Sequence, residues 1–407
     1  MTQKDIASKF KGDVVIWITI LILCVFSVLA VYSGIGKMAM RANDVSKEYL
    51  YLWRHVFIMV SGLILMWVVH LVNWHKFLQK TGFLFLVIAC ILLIITMFFG
   101  TEKNHAKRWI DLGVFLVQTS DIAKLALVVY LSGVFANIKE FENDFKQMLK
   151  WVYAPVCITC ALIAKADNST AMLLFAVVVL LMFFARIPMK KILTMMGICV
   201  IGVACVFLTL TVWKKIASDD NKPKSETRVD TGKSRIVHFL FEDRIPYEQD
   251  YMATLAVAEG GALGKMPGKS EHRFYLPNIE SDYIFAIIVE EYGSLLGIFF
   301  IIVPFLVLTY RGIKIALKSS RPFSAYLVLG ITFMYVFQAF INIGVSVDVL
   351  PITGQPMPFV SRGGSMFIMC CLAFGLVLSE SRMNVEEKMA AEKNVAEIDE
   401  EVSEIKE

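Results

Sequence analysis

Apolar residues run through this chain in long blocks, separated by short polar connections. Blocks near 14–33, 55–73, 82–100, 120–136, 151–165, 169–186, 191–212, 283–309, 323–344 and 364–380 hold almost no charge. A helix crosses a bilayer with about 20 apolar residues, so each block predicts a spanning helix. The expected fold is all-α: a polytopic integral membrane protein of about ten transmembrane helices, with its membrane domain over 14–380. The first block is not a cleaved signal peptide, because it is too long, lacks a small-residue cleavage site and is followed by further spans. The fifth and sixth blocks are short and nearly continuous across Asp167.

Basic residues alternate between the connections. His75, Lys76 and Lys80, then Lys139, Lys146 and Lys150, then Arg186, Lys190 and Lys191, then Arg311, Lys314, Lys318 and Arg321 share one side with Lys4, Lys9 and Lys11. The positive-inside rule makes that side cytoplasmic. Both termini are then cytoplasmic: 1–13 is an N-terminal segment, and 381–407 is a solvated or weakly helical acidic tail. The large loop 213–282, between helices seven and eight, is extracytoplasmic. A loop this long in a compact protein is usually functional.

Composition agrees with this picture. Of 407 residues, 57% are hydrophobic and only 19% charged, against about a quarter charged in soluble domains. The net charge of +4 points to no polyanionic partner, so nucleic acid is excluded. Cys24, Cys90, Cys157, Cys160, Cys199, Cys205, Cys370 and Cys371 all fall inside apolar blocks. They read as buried small hydrophobes rather than as redox or metal ligands.

Charge inside a span is costly unless paired or wetted, which makes each instance a functional lead. Asp121 and Lys124, at i and i+3, lie on one face of the fourth helix. They read equally as a structural ion pair and as the lining of a polar cavity. Lys165 and Asp167 sit where the chain breaks into Asp-Asn-Ser-Thr; irregular backbone at that depth lines a protein-buried or watery cavity. Asp282 opens the eighth helix, where N-capping is its plain structural role. Glu290 lies about 12 Å deeper and roughly 80° round from it. Glu290 and Glu291 must find partners or be protonated, and a neutral Glu290 is expected. Between 342 and 365, Pro351, Pro356 and Pro358 with Gly354, Gly363 and Gly364 forbid continuous helix. That segment predicts a re-entrant or outer loop capping a cavity, with Arg362 placed to meet an anion or carboxylate. The run Gly264–Ser270 lacks the first glycine of a nucleotide-binding P-loop, since Leu263 stands there. Its turns and Lys265, Lys269 and Arg273 still suit a phosphate.

These segments together resemble the SEDS family (shape, elongation, division, sporulation) of bacterial membrane glycosyltransferases, over about residues 10–382. The resemblance rests on KRWIDLGVFLVQTSDIAK at 107–124, KADNST at 165–170, GGALGKM at 260–266, LPNIESDYIFAIIVEEYG at 276–293 and LPITGQPMPFVSRGGSM at 350–366. The stretch GKMPGKSEHRFYLP, EEYG and Ser361-Arg362-Gly363-Gly364 are more similar to division-type than to elongation-type members. Asp121 stands where the family has Glu, Thr119 where it has Pro, Lys165-Ala166 where it has Gln-Pro, and Arg362 where it has Tyr. Asp282 matches the family pattern.

The resemblance implies a peptidoglycan glycosyltransferase that polymerises lipid II into glycan strands on the outer face of the bacterial inner membrane at the division septum. It also implies a divalent cation, Mg or Mn, with Asp282 as its ligand. The partners implied are a class B penicillin-binding transpeptidase and a division activator complex, besides lipid II and membrane lipids. Such chemistry needs a base for the attacking hydroxyl and positive charge for the pyrophosphate. Asp282 is the expected base; Arg108, Lys265, Lys269, Arg273 and Arg362 are the expected anion-binding groups. Two rival readings are a lipid II flippase, to which a deep Glu290 would be suited, and a non-catalytic division scaffold that recruits a transpeptidase.

Overall fold

The computed structural model describes residues 12–42, 46–103, 106–111, 116–140, 144–199, 202, 249–275 and 281–406. Its helices are α1 (Val14–Ala42), α2 (Ser46–Leu71), α3 (His75–Phe99), α4 (Thr119–Ala136), α5 (Ala154–Ala166) and α6 (Asn168–Phe184). They continue with α7 (residues 189–199), α8 (Gln249–Gly260), α9 (Ile284–Lys318), α10 (Pro322–Ser346) and α11 (Gly364–Lys406). Among the described residues eight helices are long and apolar enough to cross a membrane, and α6 is a shorter apolar helix. The chain is a multi-pass membrane protein. The expected seventh span, 191–212, is described only over 191–199 and at 202, and residues 213–248 of the long loop lie outside the described residues.

The helices stop where backbone chemistry stops them. Gly100 takes an extended conformation and ends α3. Asp167, with φ −155° and ψ 98°, is a one-residue break between α5 and α6, and its carboxylate caps α6 by accepting from the Thr170 N–H. Pro322 sits in the first turn of α10, where its missing N–H costs nothing. Between α3 and α4 the polar connection forms a three-stranded antiparallel sheet, β1 (Thr101–Lys103), β2 (Ala106–Asp111) and β3 (Leu116–Gln118). Trp109 lies opposite Gln118.

Helices α4 and α10 and the first half of α11 are mostly buried, while α2 and α3 turn large apolar faces outward. Close crossings rely on small residues: a methyl at Gly375 of α11 would stand 2.9 Å from Val69 Cβ and 3.0 Å from the Met66 carbonyl of α2. One end of the bundle joins Asp13 to Arg311 at 2.6 Å, His75 to Ser324 at 3.0 Å and Arg321 to Glu387 at 3.1 Å. These belong to the segments whose basic residues were expected to share one side.

Three details refine or change the expectations. The acidic tail is helical throughout: α11 runs unbroken from Gly364 to Lys406, because its Ala, Glu, Lys and Met residues are good helix formers. The eighth span is not one continuous helix: Gly293 adopts φ 84° inside α9. Cys157 has the Cys199 thiol 3.3 Å away on α7, both being free thiols.

Candidate active site

At the end of the bundle opposite the Asp13–Arg311 pair, the segment 347–363 folds back among the helices without regular structure. Pro351, Pro356 and Pro358 lack backbone donors, and side chains anchor the middle of the segment. Asn342 of α10 donates to the Gln355 carbonyl at 2.8 Å and to the Asp282 carbonyl at 2.9 Å. Ser361 donates to the Ser281 carbonyl at 2.7 Å and accepts from the Met357 N–H at 2.7 Å. Gln338, one turn before Asn342, donates to the Pro356 carbonyl at 2.9 Å. Asp282 is thereby fixed on both sides of its peptide.

Asp282 does not cap α9. Tyr283 is the N-cap residue, and the Asp282 carboxylate instead accepts from Ser281 Oγ at 2.9 Å. Its Oδ2 faces Gly354, whose φ of 66° and missing side chain leave room beside the carboxylate: a methyl there would stand 3.9 Å from Oδ2. Asp282 is partly exposed. No group of three Asp, Glu, His or Cys ligands among the described residues includes it. The segments that touch it do carry two buried oxygens without a hydrogen-bond partner among the described residues, Asn342 Oδ1 and Thr353 Oγ1. One carboxylate with neutral oxygens is a donor set suited to a hard cation such as Mg or Mn that takes its remaining ligands from phosphate and water.

Two ion pairs brace the same loop. Lys124 meets Asp121 at 2.8 Å, with both side chains buried, and also donates to Gln338 Oε1 at 3.2 Å. Asp121 and Lys124 are therefore tied through Gln338 to Pro356. Arg108 of β2 meets Asp167 at 2.9 Å. Gln355 donates to the same Asp167 oxygen at 3.2 Å and to Thr170 Oγ1 at 2.6 Å. Arg108, expected to meet pyrophosphate, is thus committed to Asp167. Lys165, expected beside Asp167, is exposed on α5 instead, because the break at Asp167 turns the two side chains apart.

A second cluster lies at the break in α9. The turn after α8 docks there by main-chain bonds: Lys265 N–H to the Glu290 carbonyl at 2.8 Å, Met266 N–H to Glu291 at 2.9 Å, and Ser294 N–H back to Gly261 at 2.8 Å. A methyl at Gly293 would collide with the Ala262 carbonyl, and one at Gly264 with the Glu291 carbonyl. The glycine run is therefore a clasp on a broken helix rather than a phosphate cradle.

Glu290 is fully buried and meets Ser270 Oγ, the Glu271 N–H at 3.0 Å and His272 Nδ1 at 2.9 Å. Of the two expected outcomes, partners or protonation, the structure supplies partners for Glu290. Glu291 accepts from Ser33 of α1.

Lys265 hydrogen-bonds Glu259 and lies 3.5 Å from Glu290. The Glu259 carboxylate holds its ammonium above the usual lysine value. Lys269 is exposed, the Arg273 guanidinium stacks on Phe274, and Arg362 lies 5.1 Å over the Tyr51 ring. The structure does not bring Arg108, Lys265, Lys269, Arg273 and Arg362 into one anion site.

Glu259, Ser270, His272, Gln338, Asn342 and Gln355 were not singled out from the sequence, and Ser361 was named only within a motif. The one available signal was Gln338 and Asn342 at i and i+4 in an otherwise apolar span.

Comparison with known proteins came out consistently. A sequence profile described as "Cell cycle protein" (FtsW, RodA, SpoVE) matches residues 13–386. A "Probable peptidoglycan glycosyltransferase FtsW" from Coxiella burnetii is 28% identical over 373 residues, covering 89% of this chain and 94% of that one. Its namesake from Haemophilus influenzae is 31% identical over 315 residues, covering 75% and 74%. Among solved structures, a chain from a study titled "Structural coordination of polymerization and crosslinking by a peptidoglycan synthase complex" superposes with a TM-score of 0.67 at 21% identity, covering 92% of this chain and 98% of that one. Thermus thermophilus RodA superposes at 0.59 and 20% identity, covering 91% and 97%. The two superpositions establish the likeness of fold.

Proposed function

This chain belongs to the FtsW/RodA/SpoVE family of cell cycle proteins, and from that premise we propose that it is a division-type peptidoglycan glycosyltransferase. The substrate is lipid II, and the product is a glycan strand built on the outer face of the inner membrane at the septum. Both termini are cytoplasmic in this reading.

The observation that carries the proposal is the seating of Asp282. A partly exposed carboxylate stands at the mouth of α9, next to a glycine, on a peptide held from Asn342 and Ser361. The acceptor sugar's hydroxyl must lose a proton as its oxygen attacks the anomeric carbon. Asp282 accepts that proton. A rigid seat keeps the carboxylate in line with the hydroxyl, so orientation need not be found anew at each turnover. The pyrophosphate departs with the lipid, which keeps its headgroup at the membrane surface, level with the mouth of α9. A divalent cation, held by Asp282 with Asn342 Oδ1 and Thr353 Oγ1, would supply charge neutralisation for that leaving group.

The scaffold reading leaves the Asp282 seat without a purpose. The flippase reading drew on a deep Glu290, and Glu290 is tied into the clasp by Glu271 and His272. A class B penicillin-binding transpeptidase is the proposed partner, with a division activator complex. The deciding experiment is polymerisation of purified lipid II by the purified protein, alone and with its transpeptidase. Glycan chains made by the wild type and not by Asp282→Asn support the proposal. No chains under any condition, with lipid II translocation in vesicles, would replace it with the flippase.

A further inference from the structure

Glu259, His272 and Glu290 converge from three separate pieces of chain. Glu259 comes from the last turn of α8, His272 from a short 3-10 turn (His272–Phe274) and Glu290 from α9. His272 Nδ1 stands 2.9 Å from Glu290 Oε1 and 3.8 Å from Glu259 Oε2, and the three ligand atoms all lie within 4.8 Å of one another. A tetrahedral metal with bonds of about 2.0–2.2 Å spaces its ligands roughly 3.3 Å apart. To reach that spacing the His272–Glu290 pair opens slightly and the wider separations close.

Two of the ligands are already fixed. Glu290 is fully buried, and the Ser270 hydroxyl and Glu271 N–H orient its carboxylate. His272 is buried against it. Glu259 is the more exposed carboxylate, its side chain 38% accessible, and it is free to close the third side. A second observation marks the same point as a cation position: the Lys265 ammonium rests between the two carboxylates, on Glu259 and 3.5 Å from Glu290. Lys265 reaches it on a flexible four-carbon stem and can swing away toward solvent. Two carboxylates with one imidazole suit a borderline ion such as zinc better than magnesium.

We propose that Glu259, His272 and Glu290 bind a divalent transition-metal ion of the zinc class at the break in α9, displacing the Lys265 ammonium that otherwise neutralises the site. The imidazole binds through Nδ1, with its proton on Nε2. The bound ion would pin α8 and the turn that follows it to α9. The site is independent of Asp282, and it stands whether or not the chain polymerises glycan.

The test uses full-length protein in detergent, stripped with a chelator and titrated with zinc sulfate by calorimetry, with thermal unfolding recorded with and without zinc. One saturable site is expected, together with a zinc-dependent rise in Tm. His272→Ala and Glu259→Gln should each weaken binding roughly 10–100-fold or more, as loss of support at metal sites does. Lys265→Met should tighten it, because the competing ammonium is gone. The metal-free Tm of each variant reports whether it has folded. Zinc bound equally by wild type and by folded His272→Ala would overturn the site, as would no saturable binding by either wild type or Lys265→Met. Weaker binding by folded Lys265→Met would overturn the displacement.

Discussion

The side-chain amide of Gln355 stands 3.2 Å from the same Asp167 oxygen that Arg108 holds at 2.9 Å. One buried carboxylate therefore joins the sheet, the α5–α6 break and the loop beside Asp282.

Gln355→Ala removes one of those donors. A buried acceptor left under-satisfied costs about 1–3 kcal/mol, and the loop that seats Asp282 loses an anchor. Gln355→Glu places a second carboxylate against the first and should cost more. Thermal unfolding in detergent checks both. An unchanged Tm for Gln355→Glu would show that the amide does not hold the loop.

Asp121 and Lys124 act as one unit. Breaking a buried pair from one side leaves an uncompensated charge and costs about 3–5 kcal/mol. Asp121→Asn and Lys124→Met should each lower stability by that order, and the double variant by less than their sum. Strictly additive losses in a denaturation series would argue against coupling.

Asp282→Asn should reduce lipid II polymerisation about 10²–10⁴-fold, the usual worth of a general base. The variant should insert normally and still co-purify with the transpeptidase, because the amide keeps the size of the carboxylate and can still accept from Ser281 Oγ. Near-normal polymerisation by folded variant protein would remove the base assignment.

Gly293→Ala forces a side chain into φ 84° and against the Ala262 carbonyl. Strained backbone of this kind costs about 1–3 kcal/mol, so the clasp should open before the bundle melts. Hydrogen exchange at the Lys265 and Met266 amides should accelerate while amides in α4 and α10 stay protected. Uniform acceleration would mean that the clasp is not a local unit.

Much of this architecture was readable because a long apolar run in a bilayer can do little except form a helix. The break at Asp167 was also readable, since Asp-Asn-Ser-Thr caps a helix and cannot continue a greasy one. The sheet carrying Arg108 was hidden, because short strands in a polar connection show no clear alternation. So was the pairing of Asp167 with Arg108 rather than with Lys165, which depends on contacts between distant segments. Asp282, Asp121 and Lys124 were found because charge in an apolar context is conspicuous. Gln355 and Asn342 were missed because amides are not. Nothing in the sequence marked Gly293 as a break, and the docking of Gly261 and Ala262 against it explains its conformation.

The unbroken run of α11 to Lys406 changes how a label at the C-terminus should be interpreted. Beyond Ser381 the helix adds about 38 Å at 1.5 Å per residue. A fluorophore joined rigidly to its end would ride on a mast rather than a tether. Its polarisation would then report the angle of the whole molecule within the membrane plane, where a flexible tail would report only its presence.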